Sequence, residues 1–154
     1  MRFREAVEGT AAIRGHYREG LQGVLNVDRS RLHCSAPRRL CGSVDLDDAL
    51  RLAHPKEPRW DYAIGIRGSV ENDTVVWVEV HPASSRHVEE VLRKLQWLED
   101  WLRYDAPAMG RLPRHFRWIA TGTVSFRHGS REEKKIAQRG LRFPVKQLDL
   151  DSFR

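Results

Sequence analysis

The feature that most constrains the fold is an uninterrupted strand, turn and strand in the middle of the chain. Residues 60–67 (WDYAIGIR) have the alternation of a strand, and residues 68–73 (GSVEND) are typical of a turn. Residues 74–81 (TVVWVEVH) are rich in β-branched residues, which favour a second strand. Two strands joined by so short a turn pair in antiparallel fashion, so the sequence predicts a central β-hairpin.

A long amphipathic helix is predicted directly after this hairpin, over residues 86–103. Its apolar side chains form one stripe at helical spacing: Val88, Val91, Leu92, Leu95, Leu98 and Leu102. Residues 114–121 (RHFRWIAT) alternate again and predict a strand. A helix between two strands of one sheet makes a right-handed parallel crossover. We therefore predict an α/β fold with a mixed β-sheet, an antiparallel hairpin meander followed by a right-handed parallel crossover, and helices on both faces.

The flanking segments add shorter elements. Helical spacing predicts a helix over residues 4–25, and residues 39–44 are typical of a short strand. The acidic residues at 45–48 predict the start of a short helical turn. A Ser-x-x-Glu capping box predicts a last helix over 130–140, and an edge strand is expected over 141–145.

Length and composition favour one reduced, cytoplasmic domain without a membrane partner. A chain of 154 residues fits a single α/β domain, with its core over about 4–121 and a basic helix and strand over about 122–154. No apolar run approaches the length of a membrane span, and the charged N-terminus is unlike a signal peptide. Two cysteines do not make a disulfide framework.

Two carboxylates are expected to face each other across the hairpin. If the turn is centred on Val70, Asp61 lies opposite Glu79, and facing side chains point to the same side with Cβ atoms about 4.5–5.5 Å apart. Two like charges among apolar strands are costly. Three arrangements would offset that cost. One carboxylate is protonated, arginines such as Arg59 or Arg67 neutralise the pair, or a divalent cation lies between the two carboxylates.

The same side of the hairpin favours the cation. Alternation places His81 beside Glu79, and it places the small residues Ala63 and Gly65 beside Asp61, which predicts open space above the carboxylates. Carboxylate oxygens in such a space are ligands for a partly hydrated Mg²⁺ or Mn²⁺. A cation of this kind activates water and stabilises charge on a phosphoryl group.

An Asp at the start of one strand, a Glu-x-Lys-like triplet at the end of the next, and then a long helix and a strand resemble the PD-(D/E)XK nuclease superfamily. Here Asp61 is the first residue, and Glu79-Val80-His81 is the triplet. The resemblance covers about residues 4–121 and implies the restriction-endonuclease-like fold. It also implies a metal-dependent phosphodiester hydrolase acting on DNA or RNA, with Asp61 and Glu79 as catalytic metal ligands.

The sequence departs from the family pattern at two positions. Trp60 stands where the family often has Pro, and His81 stands where it has the Lys that is thought to orient or activate the attacking water. A neutral His81 could act as base or ligand, and the alternative is a strand-end histidine bonded to a backbone carbonyl. Lys94 on the following helix is the candidate for a relocated lysine. A glutamate of the first helix joins the metal site in some family members, and Glu8 and Glu19 are both candidates for that position here.

Positive charge indicates a polyanionic partner. The chain has 27 Lys and Arg against 21 Asp and Glu, a net charge of +6. The candidate nucleic-acid-binding residues are Arg114, Arg117, Arg127, Arg131, Lys134 and Lys135, for which a solvated face is the plain alternative. Two other functions stay open. One is a non-catalytic nucleic-acid-binding domain, and the other is a protein-interaction domain with Trp97 and Trp101 in the core or at the seam of a homodimer.

Overall fold

A computed structural model of the chain, which describes residues 1–153, contains six β-strands and six α-helices within that range. The strands are β1 (Leu32–His33), β2 (Leu40–Asp45), β3 (Tyr62–Ile66), β4 (Thr74–Pro82), β5 (Arg114–Thr121) and β6 (Leu148–Asp149). The α-helices are α1 (Phe3–Glu8), α2 (Asn26–Arg29), α3 (Leu46–Leu50), α4 (Ser85–Tyr104), α5 (Pro107–Gly110) and α6 (Arg131–Ala137). Short 3₁₀ helices lie at Ala11–His16, Pro37–Arg39 and Leu150–Ser152.

The central sheet is mixed and has the strand order β2-β3-β4-β5. Strands β2, β3 and β4 pair in antiparallel fashion, whereas β4 and β5 run parallel and are joined through α4. The predicted α/β class, the antiparallel meander and the parallel crossover are therefore confirmed. The right-handed sense of the crossover stays a prediction. The short strands β1 and β6 form a separate parallel pair.

The register of the central hairpin is the predicted one. Tyr62 lies opposite Val78, and Ile66 lies opposite Thr74. Asp61 directly precedes β3, so this register brings it beside Glu79 on β4. Both strands are buried on both sides, so the different packing of the two sides favours this pairing. A slip by one residue would exchange the large Tyr62 and Ile64 with the small Ala63 and Gly65.

One side of the central sheet, marked by Trp77 and Trp118 and called here the helical face, packs against α1, α3, α4 and α6. The apolar stripe of α4 is buried against it along the whole helix. Each large apolar side chain contributes about 1.5–3 kcal/mol when fully buried. Several such contacts hold α4 at a fixed rotation, and this also fixes the direction in which its polar residues point.

The opposite side of the sheet is covered differently from the prediction. Its apolar residues pack against Val24, Leu148, Leu150 and Phe153, which belong to short irregular segments, to β6 and to a 3₁₀ helix. The helix α2 has no buried residue. The expectation of helices on both faces is therefore met on this side only by short elements, the 3₁₀ helix Leu150–Ser152 and α2, whose Asp28 accepts a hydrogen bond from the Tyr62 hydroxyl.

The N-terminal segment also differs from the prediction. The expected helix over 4–25 ends at Gly9, is followed by the 3₁₀ helix and a turn, and does not resume. Gly20 has a φ of +52°, which no right-handed helix accommodates. The break lets Phe3 and Ile13 enter the same core.

The C-terminal elements are close to the prediction. The helix α6 begins at its capping box, where the Ser130 side chain accepts a hydrogen bond from the Glu133 amide. Residues 141–145 run beside β5 but pair with it only through isolated bridges at Leu141 and Val145. Among the described residues, no helix has both the length and the apolar character needed to cross a membrane.

Candidate metal centre

Asp61 and Glu79 meet on the helical face, where β3 begins and β4 nears its end. The Asp61 amide donates to Glu79 Oε1 at 3.2 Å, and the Val80 amide donates to Asp61 Oδ2 at 2.9 Å. One oxygen of each carboxylate is thus held by the backbone of the opposite strand. The remaining oxygens, Asp61 Oδ1 and Glu79 Oε2, are left for a shared partner.

Lys94 of α4 reaches both remaining oxygens. Its ammonium contacts Glu79 Oε2 and lies 3.7 Å from Asp61 Oδ1. The lysine considered from the sequence therefore contacts both carboxylates, and its single positive charge offsets part of their negative charge. Arg59 pairs with Asp47 at 3.1 Å. We call Asp61, Glu79 and Lys94 the carboxylate site.

The carboxylate site is closed on one side and open on the other. The Glu79 side chain is 0 % exposed, that of Lys94 is 15 % exposed and that of Asp61 is 21 % exposed. Lys94 extends from the edge of the apolar stripe, so its aliphatic part is covered while its ammonium meets the carboxylates. A ligand from solvent would reach the site from the Asp61 side.

Burial dominates the electrostatics of the carboxylate site. Complete burial raises the pKa of Glu79 well above its ordinary value, repulsion from Asp61 adds to this rise, and attraction to Lys94 opposes it. Burial likewise raises the pKa of Asp61 against the attraction of Lys94. Burial alone would lower the pKa of Lys94, but the attraction of Glu79 and Asp61 outweighs it and raises that pKa. One ammonium cannot balance two ionised carboxylates, so the carboxylate site then has a net negative charge. A proton or a second cation would neutralise that charge.

The donor set fits a hard divalent cation. Two carboxylate oxygens converge on one point next to an opening to solvent, and Mg²⁺ or Mn²⁺ binds such oxygens while keeping several waters. The Lys94 ammonium now takes the position between them. Asp61 and Glu79 would both bind a divalent ion only if the Lys94 ammonium moved aside. The flexible side chain of lysine allows this movement.

His81 lies next to the carboxylate site on β4, but it makes other contacts. Its Nε2 is 3.2 Å from Glu90 Oε1, and its Nδ1 is 2.9 Å from the carbonyl oxygen of Pro82. The bond to a backbone carbonyl is the one expected for a strand-end histidine. In the described structure His81 has no hydrogen bond to Asp61 or Glu79, so its predicted role on the attacking water has no contact to support it.

The predicted open space above the small residues of β3 is filled. A Cβ added to Gly65 would lie 2.4 Å from Cγ of Phe3, which packs there from α1. The expectation of room on this part of the hairpin is therefore wrong. The glycine serves close packing of α1, a long-range contact that the alternation of one strand does not predict.

The two glutamates considered from the N-terminal segment do not join the site. Glu8 pairs with Arg4 at 3.0 Å, and Glu19 is exposed. The acidic neighbour that the sequence reasoning undervalued is Asp47, whose amide lies 3.3 Å from the Asp61 carbonyl oxygen and whose charge helps to raise the pKa of Lys94. Asp45 caps α3 by accepting the Asp48 amide at 3.0 Å, as the capping interpretation expects.

The candidate nucleic-acid-binding residues of β5 are separated from the carboxylate site. Arg114 lies beside Val75, four strand residues from Glu79, which is about 13 Å along β4. Arg117 points to the opposite side of the sheet, where its guanidinium lies 4.9 Å above the Phe153 ring. These two arginines and the carboxylates do not form one surface, because β5 alternates and extends away from the site.

The remaining candidates lie in three separate places. The Ser125 amide donates to the Ala83 carbonyl at 2.9 Å, which holds the loop after β5 beside the end of β4, and the exposed Arg127 and Arg131 follow in this region. Lys135 forms an ion pair with Glu89 of α4 and is partly neutralised. Lys134, Arg117 and Arg142 line a cavity of about 850 Å³ between α6 and the C-terminal segment, and no residue of the carboxylate site borders it.

The tryptophans of α4 belong mainly to the core. Trp101 is buried, and Trp97 stacks on it with ring centroids 6.1 Å apart. Trp97 Nε1 donates to Glu57 Oε1 at 2.9 Å. Trp101 is therefore a core residue, which confirms the core alternative for it, and it is not exposed at a homodimer seam.

No protein family, curated protein or solved structure matches this chain. We therefore infer function from the geometry of the carboxylate site and from the sequence pattern around Asp61 and Glu79.

Proposed function

We propose that the protein is a metal-dependent phosphodiester hydrolase, a nuclease acting on DNA or RNA, with Mg²⁺ or Mn²⁺ at Asp61 and Glu79. The observation that carries this proposal is the convergence of Asp61 Oδ1, Glu79 Oε2 and Lys94 Nζ at one partly open point. Two acidic oxygens and an ammonium in the same place are the groups that phosphoryl transfer needs, since they hold a cation and face developing negative charge.

The proposal includes the fold. An antiparallel hairpin, the long crossover helix α4 and a parallel strand follow one another as in the restriction-endonuclease-like fold, and the acidic pair lies at the hairpin end facing the helix. Lys94 on α4 then takes the place of the lysine that the family carries on the strand. The departure at His81 is thereby compensated within the same site.

The contacts suggest a separate task for each residue. Asp61 is the carboxylate that solvent reaches, so it makes the first contact with an incoming cation. Glu79 is buried and holds a proton more tightly than an ordinary glutamate, so cation binding there releases that proton. Lys94 stays an ammonium at neutral pH because its pKa is raised, so it stabilises charge on the phosphoryl group instead of removing a proton. A bound Mg²⁺ would supply an activated water and further charge stabilisation.

Arg127 and Arg131 are the basic residues best placed to guide a phosphate backbone toward this end of the sheet. Both are exposed, and the loop that carries Arg127 is held beside the end of β4. Electrostatic contacts of this kind give affinity without sequence preference. Arg114 lies toward the opposite end of the sheet, and Arg117 lies on its opposite side. Lys134 lines the cavity beside α6, and Lys135 is paired with Glu89 of α4.

A second candidate is a non-catalytic nucleic-acid-binding domain. The observation in its favour is that Lys94 already supplies a counter-ion, so the carboxylate site is satisfied in part without a metal. In that case the carboxylate site is only a buried ion cluster, and the function depends on the basic residues that contact nucleic acid. Divalent-ion dependence separates the two candidates.

Cleavage of labelled oligonucleotides tests the proposed activity. Single- and double-stranded DNA and RNA are incubated with the protein and Mg²⁺ or Mn²⁺, and with a chelator as a blank. We expect cleavage by the wild type and none by Glu79→Gln, since a neutral amide is a poor ligand for a hard cation. Glu71→Gln makes the same change at an exposed glutamate in the turn before β4 and should leave cleavage intact. Binding without cleavage, equal with and without metal, would favour the second candidate.

A further inference from the structure

A second group of ligand atoms lies at the end of β4, beside the carboxylate site. It consists of His81 on β4 and of His87 and Glu90 on α4, and one ligand atom from each lies within 4.8 Å of the other two. His87 and Glu90 are three residues apart, so they share one face of the helix. We call these three residues the histidine cluster.

Both imidazoles use Nδ1 for a bond outside the cluster, so Nε2 is the nitrogen that remains for a ligand, and in His81 it already faces Glu90 Oε1 at 3.2 Å. His81 Nδ1 must carry the proton, because its partner is the carbonyl oxygen of Pro82, which only accepts. His87 Nδ1 lies 2.6 Å from Ser84 Oγ, a hydroxyl that can accept the same kind of bond. Metal-binding histidines typically have their second nitrogen held by such an outer partner, which fixes the tautomer and the ring direction.

The spacing within the cluster is close to that of a coordinated ion. His81 Nε2 and Glu90 Oε1 are 3.2 Å apart. Ligands at about 2.0–2.1 Å from a tetrahedral Zn²⁺ are separated by roughly 3.3 Å. The two imidazole centroids are 5.1 Å apart, and the rings meet edge to face. Because the three ligand atoms lie within 4.8 Å of one another, a shift of about 1.5 Å at His87 would bring its ligand atom to that separation.

The cluster has a closed side and an open side. The His81 side chain is 12 % exposed, whereas that of Glu90 is 49 % exposed. The open side leaves room for a water as fourth ligand, which is the arrangement of three-ligand zinc sites with two histidines and one glutamate. Imidazole nitrogens also favour Zn²⁺, Co²⁺ or Ni²⁺ over Mg²⁺, which prefers oxygen ligands.

We propose that His81, His87 and Glu90 bind one transition-metal ion, Zn²⁺ or an ion of similar preference, with a water in the fourth position. This site goes beyond the proposed nuclease function and does not depend on it. It gives His81 a role that its contacts support and makes it unavailable as a base in the carboxylate site.

Titration with Zn²⁺, and with Co²⁺ as a spectroscopic probe, tests the site in the chain of 154 residues without a histidine tag. We expect one ion per chain, a higher melting temperature with Zn²⁺, and the visible absorption of tetrahedral Co²⁺. His87→Gln and the exposed Glu90→Gln should each weaken binding by more than about 100-fold, since loss of a ligand should exceed the loss of an outer partner. Circular dichroism checks that both variants fold.

Two matched variants make the test specific. His128 pairs with Glu133 at 3.1 Å without a second histidine, so His128→Gln should leave Zn²⁺ binding unchanged. Asp61→Asn should also leave it unchanged, which separates this site from the carboxylate site. Ser84→Ala should weaken binding by about 10- to 100-fold, because it removes the outer partner of His87. No stoichiometric Zn²⁺ binding, or equal binding in folded Glu90→Gln, would overturn the proposal.

Discussion

Replacing Lys94 by methionine tests whether this lysine is the counter-ion of the carboxylate site. Methionine keeps most of the length and apolar stem of lysine and removes only the ammonium. In the variant, Asp61 and Glu79 face each other without a compensating charge, and the Glu79 side chain has no exposed surface to hydrate. We expect a strong loss of stability in the absence of divalent ions.

The magnitude follows from the burial of the partners. Removing one member of a buried ion pair costs about 3–5 kcal/mol, because it leaves an uncompensated charge in the interior. The lower end is expected here, since Asp61 is 21 % exposed and the raised pKa of Glu79 lets it take up a proton. Lys135→Met is the matched control. Its ion pair with Glu89 is about half exposed on both sides, so the loss should stay below about 1 kcal/mol.

The pH dependence has a defined sign. Glu79 has a higher pKa in the folded chain than in the unfolded chain, and this difference grows when Lys94 is removed. The folded variant therefore binds more protons than the unfolded one, and its free energy of unfolding falls as pH rises above the ordinary glutamate pKa. The slope is at most about 1.4 kcal/mol per pH unit for each proton. The cost relative to wild type should be smallest in acid and grow toward neutral pH.

Urea denaturation of wild type, Lys94→Met and Lys135→Met at pH 5 and pH 8, with and without Mg²⁺, measures these effects. Mg²⁺ should restore stability to Lys94→Met more than it stabilises the wild type, because a divalent ion replaces the lost ammonium. A Lys94→Met variant that loses no more stability than Lys135→Met, with no change between the two pH values, would refute the assignment of Lys94 as counter-ion.

Three further predictions concern the cap, the packing and the basic surface. Burial raises the pKa of Asp45 to about 6, so the contribution of this one group to stability falls as pH rises from about 4 to 6. Asp45→Asn keeps a capping oxygen, so relative to wild type it should melt higher at pH 7.5 but not at pH 4. Gly65→Ala should cost about 1–3 kcal/mol in urea denaturation because its Cβ meets Phe3, and an unchanged midpoint would contradict that packing. If the proposed duplex-DNA contacts form, Arg127→Gln with Arg131→Gln should reduce the slope of log affinity against log salt by about 1.8, and an unchanged slope would exclude both residues.

The hairpin and its partners could be predicted because local pattern and long-range packing agree there. Alternation of large and small residues indicated which side chains of β3 share a side of the sheet, and the turn set the register that brings Asp61 beside Glu79. The stripe of α4 fixed the rotation of the helix, which directs Lys94 to the strands. Each of these inferences needs only periodicity and a short connection.

The parts that could not be predicted depend on contacts between distant segments. The turn that ends α1 at Gly9 follows from packing Phe3 and Ile13 into one core, which outweighs helical spacing. The direction of His81 is set by the start of α4, where His87 and Glu90 meet it. The basic residues look continuous in the sequence, but β5 alternates them between two sides of the sheet.

Calorimetric titration of Mg²⁺ measures whether a divalent cation binds Asp61 and Glu79, and the proposed hydrolase activity depends on that binding. We predict one Mg²⁺ per wild-type chain, with affinity that rises with pH as Glu79 loses its proton. Binding should be lost in Asp61→Asn and should be tighter in Lys94→Met, where no ammonium competes. The absence of binding in both wild type and Lys94→Met, or equal binding in Asp61→Asn, would show that Mg²⁺ does not bind at Asp61 and Glu79.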